Sequence, residues 1–212
     1  MSQTVGPIQD GLLIVFDGID GAGKTTQLEQ AQAKLAAEGW PLYTGRNLGG
    51  TPIGEELRQV ILSPLPRPET ANLYISVAIQ EALVGAIESE RALGKIILMD
   101  RGPLSLAAYE IYGSRLDSDL AWKHVEDGMS KLAPELTIIY DADVETALRR
   151  TRQKPGEADY FESKSPDYFE RVAEGYREAA KRYDKTCLII DAGQPIEAVH
   201  EQTMKAIREV LV

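Results

Sequence analysis

A single cysteine, Cys187, excludes an internal disulfide and with it the cross-linked scaffold of a small secreted domain. It lies in the apolar run Cys187 to Ile190, the setting of a buried strand residue rather than of a reactive thiol. Basic residues are also short: 23 Lys and Arg stand against 33 Asp and Glu, and a net charge of −10 leaves no basic face for general nucleic-acid binding. A small anionic substrate stays open, because a few local arginines can act inside an acidic shell. There is no repeat, low-complexity tract or linker, so 212 residues with 43% hydrophobic content are expected to form one domain with one core and a short mobile lid. The N-terminal MSQTVGPIQDG lacks the basic-then-apolar order of an export signal, and no run approaches the length of a membrane span. Cytoplasmic residence is the expectation.

What the chain does carry is Phe16 to Thr26, FDGIDGAGKTT. Gly18, Gly23, Lys24 and Thr25 satisfy G-x-x-x-x-G-K-[ST], the apolar run Leu12 to Phe16 before them reads as a buried strand, and Thr26 to Glu38 reads as a helix stopped at Gly39. Strand, loop and helix in this order make a phosphate cradle. Glycines let successive backbone N–H groups turn onto the phosphates, and the helix adds its positive end. The candidates for holding donor phosphates are therefore Gly18, Asp20, Gly21, Ala22, Gly23, Lys24, Thr25 and Thr26, with Lys24 as the mobile charge. Thr25 offers a hydroxyl to Mg²⁺, a hard cation that shares its shell with substrate phosphates.

Four more apolar runs read as strands: Trp40 to Thr44, Ile96 to Met99, Leu136 to Tyr140 and Thr186 to Ile190. Helical patterns separate them, from Thr51-Pro52 to about Leu62, Glu69 to Leu93, Leu104 to Tyr112, Ser118 to Leu132, Val144 to Gln153, Tyr168 to Tyr183, and from Pro195 onward. Ser63 to Pro68 holds three prolines and must be a connection, while the polar KPGEADYFESKSPD reads as a lid over about 153–166. This alternation implies an α/β fold, a parallel sheet with helices on both faces. Ligands of such sheets bind beyond the carboxyl ends of the strands, so Asp17, Asp20, Arg46, Asp100 and Arg101 should converge. Asp100 would join Thr25 at Mg²⁺, and the forked guanidiniums of Arg46 and Arg101 suit a second phosphate. Taken singly, each arginine is also compatible with a surface ion pair. Arg149, Arg150, Arg152 and Lys154 fall on two helix edges; either they are solvated, or one or two close over the transferring phosphoryl group as the lid shuts. A GTPase would need a D-x-x-G switch followed by N-K-x-D; Asp191-Ala192-Gly193-Gln194 imitates the first, but too little chain follows it. A small kinase remains.

These residues together resemble the thymidylate kinase family of nucleoside monophosphate kinases. FDGIDGAGKTTQ is similar to its P-loop, GGTPIGEELR to its second loop and helix, DRGPLSLAAY to its D-R block, DYFE with FERVAEGY to its lid and following helix, and LIIDAGQPIEAV to its fifth strand and adenine-side loop. The resemblance implies a three-layer P-loop kinase fold with a five-stranded parallel sheet, usually in a homodimer, that phosphorylates dTMP to dTDP with ATP and Mg²⁺. By the same resemblance, Asp20 meets the sugar 3′-hydroxyl, Arg46, Arg101 and Ser105 serve the acceptor phosphate side, Tyr109 faces the sugar and Tyr74 stacks on the base. Arg150, Asp191 and Ala192 take the adenine side. Ala22, where some members carry arginine, matches the subtype whose lid supplies catalytic charge, here Arg150, Arg152 and Lys154. A nucleotide phosphate is mostly dianionic at pH 7, with its second pKa near ~6, so no general base is required and His124 and His200 read as surface or structural residues.

The chain departs from the family pattern on the acceptor side. R-E-P-G-G-T becomes Arg46-Asn47-Leu48-Gly49-Gly50-Thr51, the aromatic or histidine after D-R becomes Gly102, Glu110 replaces glutamine, and Tyr160 replaces a lid arginine. The thymine-contacting arginine expected near position 78 is absent from Tyr74-Ile75-Ser76-Val77-Ala78. The alternatives kept open are a kinase for another nucleoside monophosphate, a nucleoside kinase with Asp17 as its base, and an ATP-binding regulatory protein with a decayed acceptor site.

Overall fold

The computed structural model describes residues 8–116, 118–153 and 159–211. Five strands, β1 (Leu12–Asp17), β2 (Leu42–Arg46), β3 (Ile96–Asp100), β4 (Leu136–Asp141) and β5 (Cys187–Asp191), pair in parallel in the order β2-β3-β1-β4-β5. The central strand explains why the runs are continuously apolar rather than alternating. Leu13 and Val15 pack with Leu83, Ile87 and Leu132 on one side of the sheet, while Ile14 and Phe16 join Leu28, Leu35 and Ile207 in the other core. With both faces covered, no position of β1 beyond Leu12 can be polar until the strand ends.

The covering helices are α1 (Lys24–Ala37), α2 (Pro52–Leu62), α3 (Glu69–Ala92), the single turn α4 (Leu104–Leu106), α5 (Ser118–Leu132), α6 (Val144–Arg152), α7 (Pro166–Arg182) and α8 (Ile196–Val210). Their starts follow local chemistry. The Thr51 hydroxyl accepts from the Gly54 N–H at 3.0 Å with Pro52 at the first position of α2, and Asp143 accepts from the Thr146 N–H at 2.7 Å at the start of α6. Register then sets the site: Arg46 lies opposite Asp100, Asp100 opposite Phe16, and Asp141 opposite Asp191, so the polar ends of neighbouring strands form one row.

Three expectations shift. β2 begins two residues later than Trp40 and ends on Arg46, and β5 ends on Asp191, because the carbonyl ends that face the cleft are still paired. The helix expected over Leu104 to Tyr112 is π-helical from Ala107 to Gly113, a widened coil lying against α7 where a Cβ on Gly175 would meet Ala108 Cα at 2.9 Å. Finally, α3 is 24 residues long with a window of mean hydropathy 1.3, enough by length and composition to cross a membrane. Its Leu73, Leu83 and Ile87 pack into the two cores instead. Residues 1–7 and part of the lid expected over 153–166, namely 154–158, lie outside the described residues.

Candidate active site

The loop after β1 turns sharply to enter α1. Gly21 has φ 82°, and a Cβ there would meet the Ala147 carbonyl of α6 at 2.1 Å, so only glycine lets the two backbones approach this closely. No side chain caps α1 and no acidic residue sits in its first turn, which leaves its positive end to an anion. Lys24 is 6% exposed, donates to the Ile19 carbonyl at 2.9 Å and stands 4.0 Å from Asp20. Burial, reinforced by the nearby Arg101 charge and only partly offset by Asp20, Asp100 and Asp17, lowers the Lys24 pKa to about 8. The Thr25 hydroxyl donates to Asp100 Oδ2 at 3.3 Å, while Asp100 Oδ1 is buried with no hydrogen-bond partner. An orphaned carboxylate oxygen beside a hydroxyl whose lone pairs stay available is a donor set that fits a magnesium ion.

Beside this cleft a second centre forms around Arg101, held at φ 69°, a left-handed backbone that costs about 1–3 kcal/mol in a non-glycine residue. The strain aims the guanidinium across the strand ends. One nitrogen donates to Asp20 at 2.5 Å and to the Tyr109 hydroxyl at 3.0 Å; the other donates to the Gly18 carbonyl at 3.1 Å and the Tyr176 hydroxyl at 2.9 Å. Asp17, wholly buried, anchors the back of the network by accepting from Ser105 and Tyr176 at 2.7 Å each and from the Gly18 and Gly102 amides. Burial raises the Asp17 pKa despite Arg101, whereas at Asp20 the Arg101 and Lys24 charges outweigh burial and hold the carboxyl well below the usual range.

Two cavities open here. The larger runs along Asp20 to Thr26 past Arg46 and Asp100 to Arg150 and Ala192. The smaller is walled by Leu48, Leu62, Leu106, Tyr109 and Phe161 and carries the polar groups of Ser76, Gln80 and Glu110. Asp20, Asn47, Arg58, Arg101 and Asp159 line both, so the cavities meet at two arginines.

Of the residues singled out from sequence, the loop from Asp20 to Thr26 with Arg46, Asp100, Arg101, Arg150 and Ala192 lines the larger cavity, and Asp20, Arg101, Ser105 and Tyr109 line the smaller. Gly18 lies behind them and accepts from Arg101. Arg46 is paired with Glu55 at 2.7 Å, and Arg150 reaches the Gly21 carbonyl at 3.3 Å. Asp191 accepts from the Gly193 amide at 2.8 Å beside the cleft, Arg152 is exposed on α6 and lines neither cavity, and Lys154 lies outside the described residues. Tyr74 stands apart from the others. It is 54% exposed, its ring edges His124 at 6.1 Å, and it lines neither cavity. The inner stripe of α3 runs Leu73, Ser76, Gln80, Leu83, Ile87, the three-and-four spacing of one helix face, and Tyr74 falls off it. Two polar residues interrupting that apolar stripe were the available signal for a pocket. Gln80 is accommodated by Gly128 of α5, where a Cβ would meet its Nε2 at 2.1 Å.

Two departures from the family pattern also turn out to be one feature. A Cβ on Gly102 would meet Val15 Cγ1 at 2.7 Å, and the Gly102 carbonyl accepts from Asn47 Nδ2 at 3.3 Å. Cys187 is half-buried in β5, with burial pushing its thiol up to about 11.

The sequence model described as thymidylate kinase matches residues 16–203. The chain is 34% identical to the thymidylate kinase of Pelotomaculum thermopropionicum over 95% of this chain and 94% of that protein. It is 37% identical to that of Cupriavidus pinatubonensis over 93% and 98% of the respective chains. Among solved structures it is similar to the thymidylate kinase of Ehrlichia chaffeensis, with a TM-score of 0.74 at 25% identity, covering 93% of this chain and 98% of that one.

Proposed function

The chain belongs to the thymidylate kinase family, and on that premise we propose that it catalyses ATP-dependent phosphorylation of dTMP to dTDP in the two joined cavities. The observation that carries this reading is the shared edge: Arg58 and Arg101 line both the P-loop cleft and the smaller pocket, so two phosphates entering from opposite sides come under the same pair of guanidiniums. Chemistry of this kind needs positioning and charge neutralisation more than covalent help. An acceptor oxygen of the dianionic dTMP phosphate forms the new bond to the γ-phosphorus of ATP as the bond to the leaving ADP breaks. Lys24 and the loop amides hold the donor phosphates, Arg101, Arg58 and Arg46 hold the acceptor phosphate, and Arg150 guards the mouth of the cleft. Thr25 and Asp100 would hold Mg²⁺, which when bound neutralises charge on the donor phosphates. Asp17 is unsuited to be a base for a neutral nucleoside hydroxyl, since it is wholly buried and already accepts four hydrogen bonds.

The same reading takes residues 1–212 as one domain with a lid near 153–166, working as a cytoplasmic homodimer. Exposed Tyr74 on α3 and Leu120 on α5 offer apolar surface to a second copy. The test is ADP formation from Mg·ATP by purified protein with dTMP, other nucleoside monophosphates and thymidine. ADP production stimulated by dTMP is expected. Tight ATP binding with no stimulation by any acceptor would instead indicate a regulatory nucleotide-binding protein.

A further inference from the structure

Three buried side-chain oxygens among the described residues lack a hydrogen-bond partner, at Asp100, Thr137 and Glu110. The first belongs to Asp100 on the P-loop cleft, the second to β4, and the third to Glu110, a residue that lines the acceptor pocket. Glu110 is 1% exposed and follows Tyr109 in the π-helical segment, so the widened coil carries one side chain to Arg101 and the next to the pocket wall. Around it stand Glu69 at the start of α3, Arg67 of the connection before α3, Lys164 and Tyr160 of the segment before α7, Tyr168 of α7 and the Ser114 hydroxyl. Lys164 is not free to neutralise it, being bonded to Glu69 at 3.1 Å and to the Tyr160 hydroxyl at 2.9 Å. The pocket offers no stacking ring from α3, since Ser76 occupies the inner position, which leaves Gln80 and Glu110 to read the base edge.

Resting on the dTMP reading above, we propose that Glu110 recognises the acceptor base as a neutral carboxylic acid, its carbonyl oxygen accepting the ring imide N–H while its O–H donates to the adjacent base carbonyl. In this form it presents the same donor-and-acceptor pair as a glutamine amide; ionised, it presents acceptors only and opposes the base carbonyl. Burial, with a further push from the Glu69 charge, raises its pKa to about 8. The competent form is therefore predominant at pH 7 and scarce at pH 9.

Because only the neutral form binds, the apparent dTMP dissociation constant should weaken about tenfold from pH 7 to pH 9. Titration calorimetry of the whole chain with dTMP, without ATP, measures this at both pH values. Two buffers of different ionisation enthalpy report the protons taken up on binding. Lys24 titrates in the same range, so the decisive quantity is the difference from Glu110→Gln, which keeps donor and acceptor at every pH. The variant should lose the tenfold dependence and the extra proton uptake. An infrared difference spectrum of the unaltered protein at pH 9 should gain a protonated-carboxyl band on adding dTMP. Equal weakening in both proteins, or pH-independent binding by the wild type without that band, overturns the proposal. No dTMP binding at pH 7 overturns the acceptor assignment and this inference with it.

Discussion

The donor cleft and the acceptor pocket meet at Arg58 and Arg101 but are built on opposite principles. The floor of the cleft is a contiguous loop, the start of α1 and one lysine, all from residues 16–26, with side chains such as Arg46, Asp100 and Arg150 added around it. The pocket is side chain, gathered from Asn47 after β2, Ser76 and Gln80 on α3, Glu110 in the π-helical segment and Phe161 before α7. Backbone recognition of phosphate tolerates no change of spacing, so it reads as a motif. Side-chain recognition of a base can be rebuilt residue by residue on the same frame.

Four substitutions separate the halves, in order of expected effect. Lys24→Ala should lower turnover by about 10²–10³-fold, since it removes a charge aimed at the transferring group. The variant should stay folded, because burial already disfavours the lost ammonium. Steady-state rates with a thermal melt check both points. An unchanged rate would remove Lys24 from the mechanism. Arg101→Ala should cut kcat/KM for dTMP by about tenfold to a hundredfold, a charged hydrogen bond being worth about 1.5–3 kcal/mol, and should also lower Tm by stranding Asp20 and Asp17. Loss confined to ATP affinity would put the arginine on the wrong side of the site.

Gln80→Ala should raise KM for dTMP by roughly fivefold to tenfold, the scale of one neutral hydrogen bond of about 1 kcal/mol, with KM for ATP unmoved. If both constants move together, the two regions are not separable. Tyr74→Ala marks the lower limit: exposed and outside both cavities, it should leave both KM values as they are. A selective rise in KM for dTMP would return it to the base site.

A stability consequence accompanies the pocket's buried acid. The Glu110 pKa rises from its ordinary 4.5 to about 8 on folding, so the folded state holds an extra proton between those values. Its contribution is fully present below the unfolded value and is lost as pH rises through about 8. Glu110→Gln should thus gain Tm relative to wild type at pH 8.5 but not at pH 4.5, by scanning calorimetry.

Much of the cleft was legible because its determinants are local: strand run, glycine spacing and helix start are consecutive. The strands were found for the same reason, with ends displaced by one or two residues where pairing continues under polar side chains. The pocket was less legible. Tyr74 and Ser76 are two residues apart on a helix, about half a turn, which puts their side chains on opposite faces, and Ser76 is the one that lines the pocket. Only the buried stripe of α3 tells them apart. Tyr176 was missed because it reaches Asp17 across 159 residues of chain, a contact no local pattern encodes. The π-helical coil and the left-handed Arg101 have no sequence mark either; tertiary packing imposes both.

The central claim is that the two cavities form one continuous site under Arg58 and Arg101. It is tested most directly by a bisubstrate ligand, adenosine and thymidine joined through their 5′ positions by an oligophosphate. The account predicts inhibition competitive with both ATP and dTMP, and loss of most of that affinity in Arg101→Ala. A ligand that competes with only one substrate while the other still binds freely would contradict it.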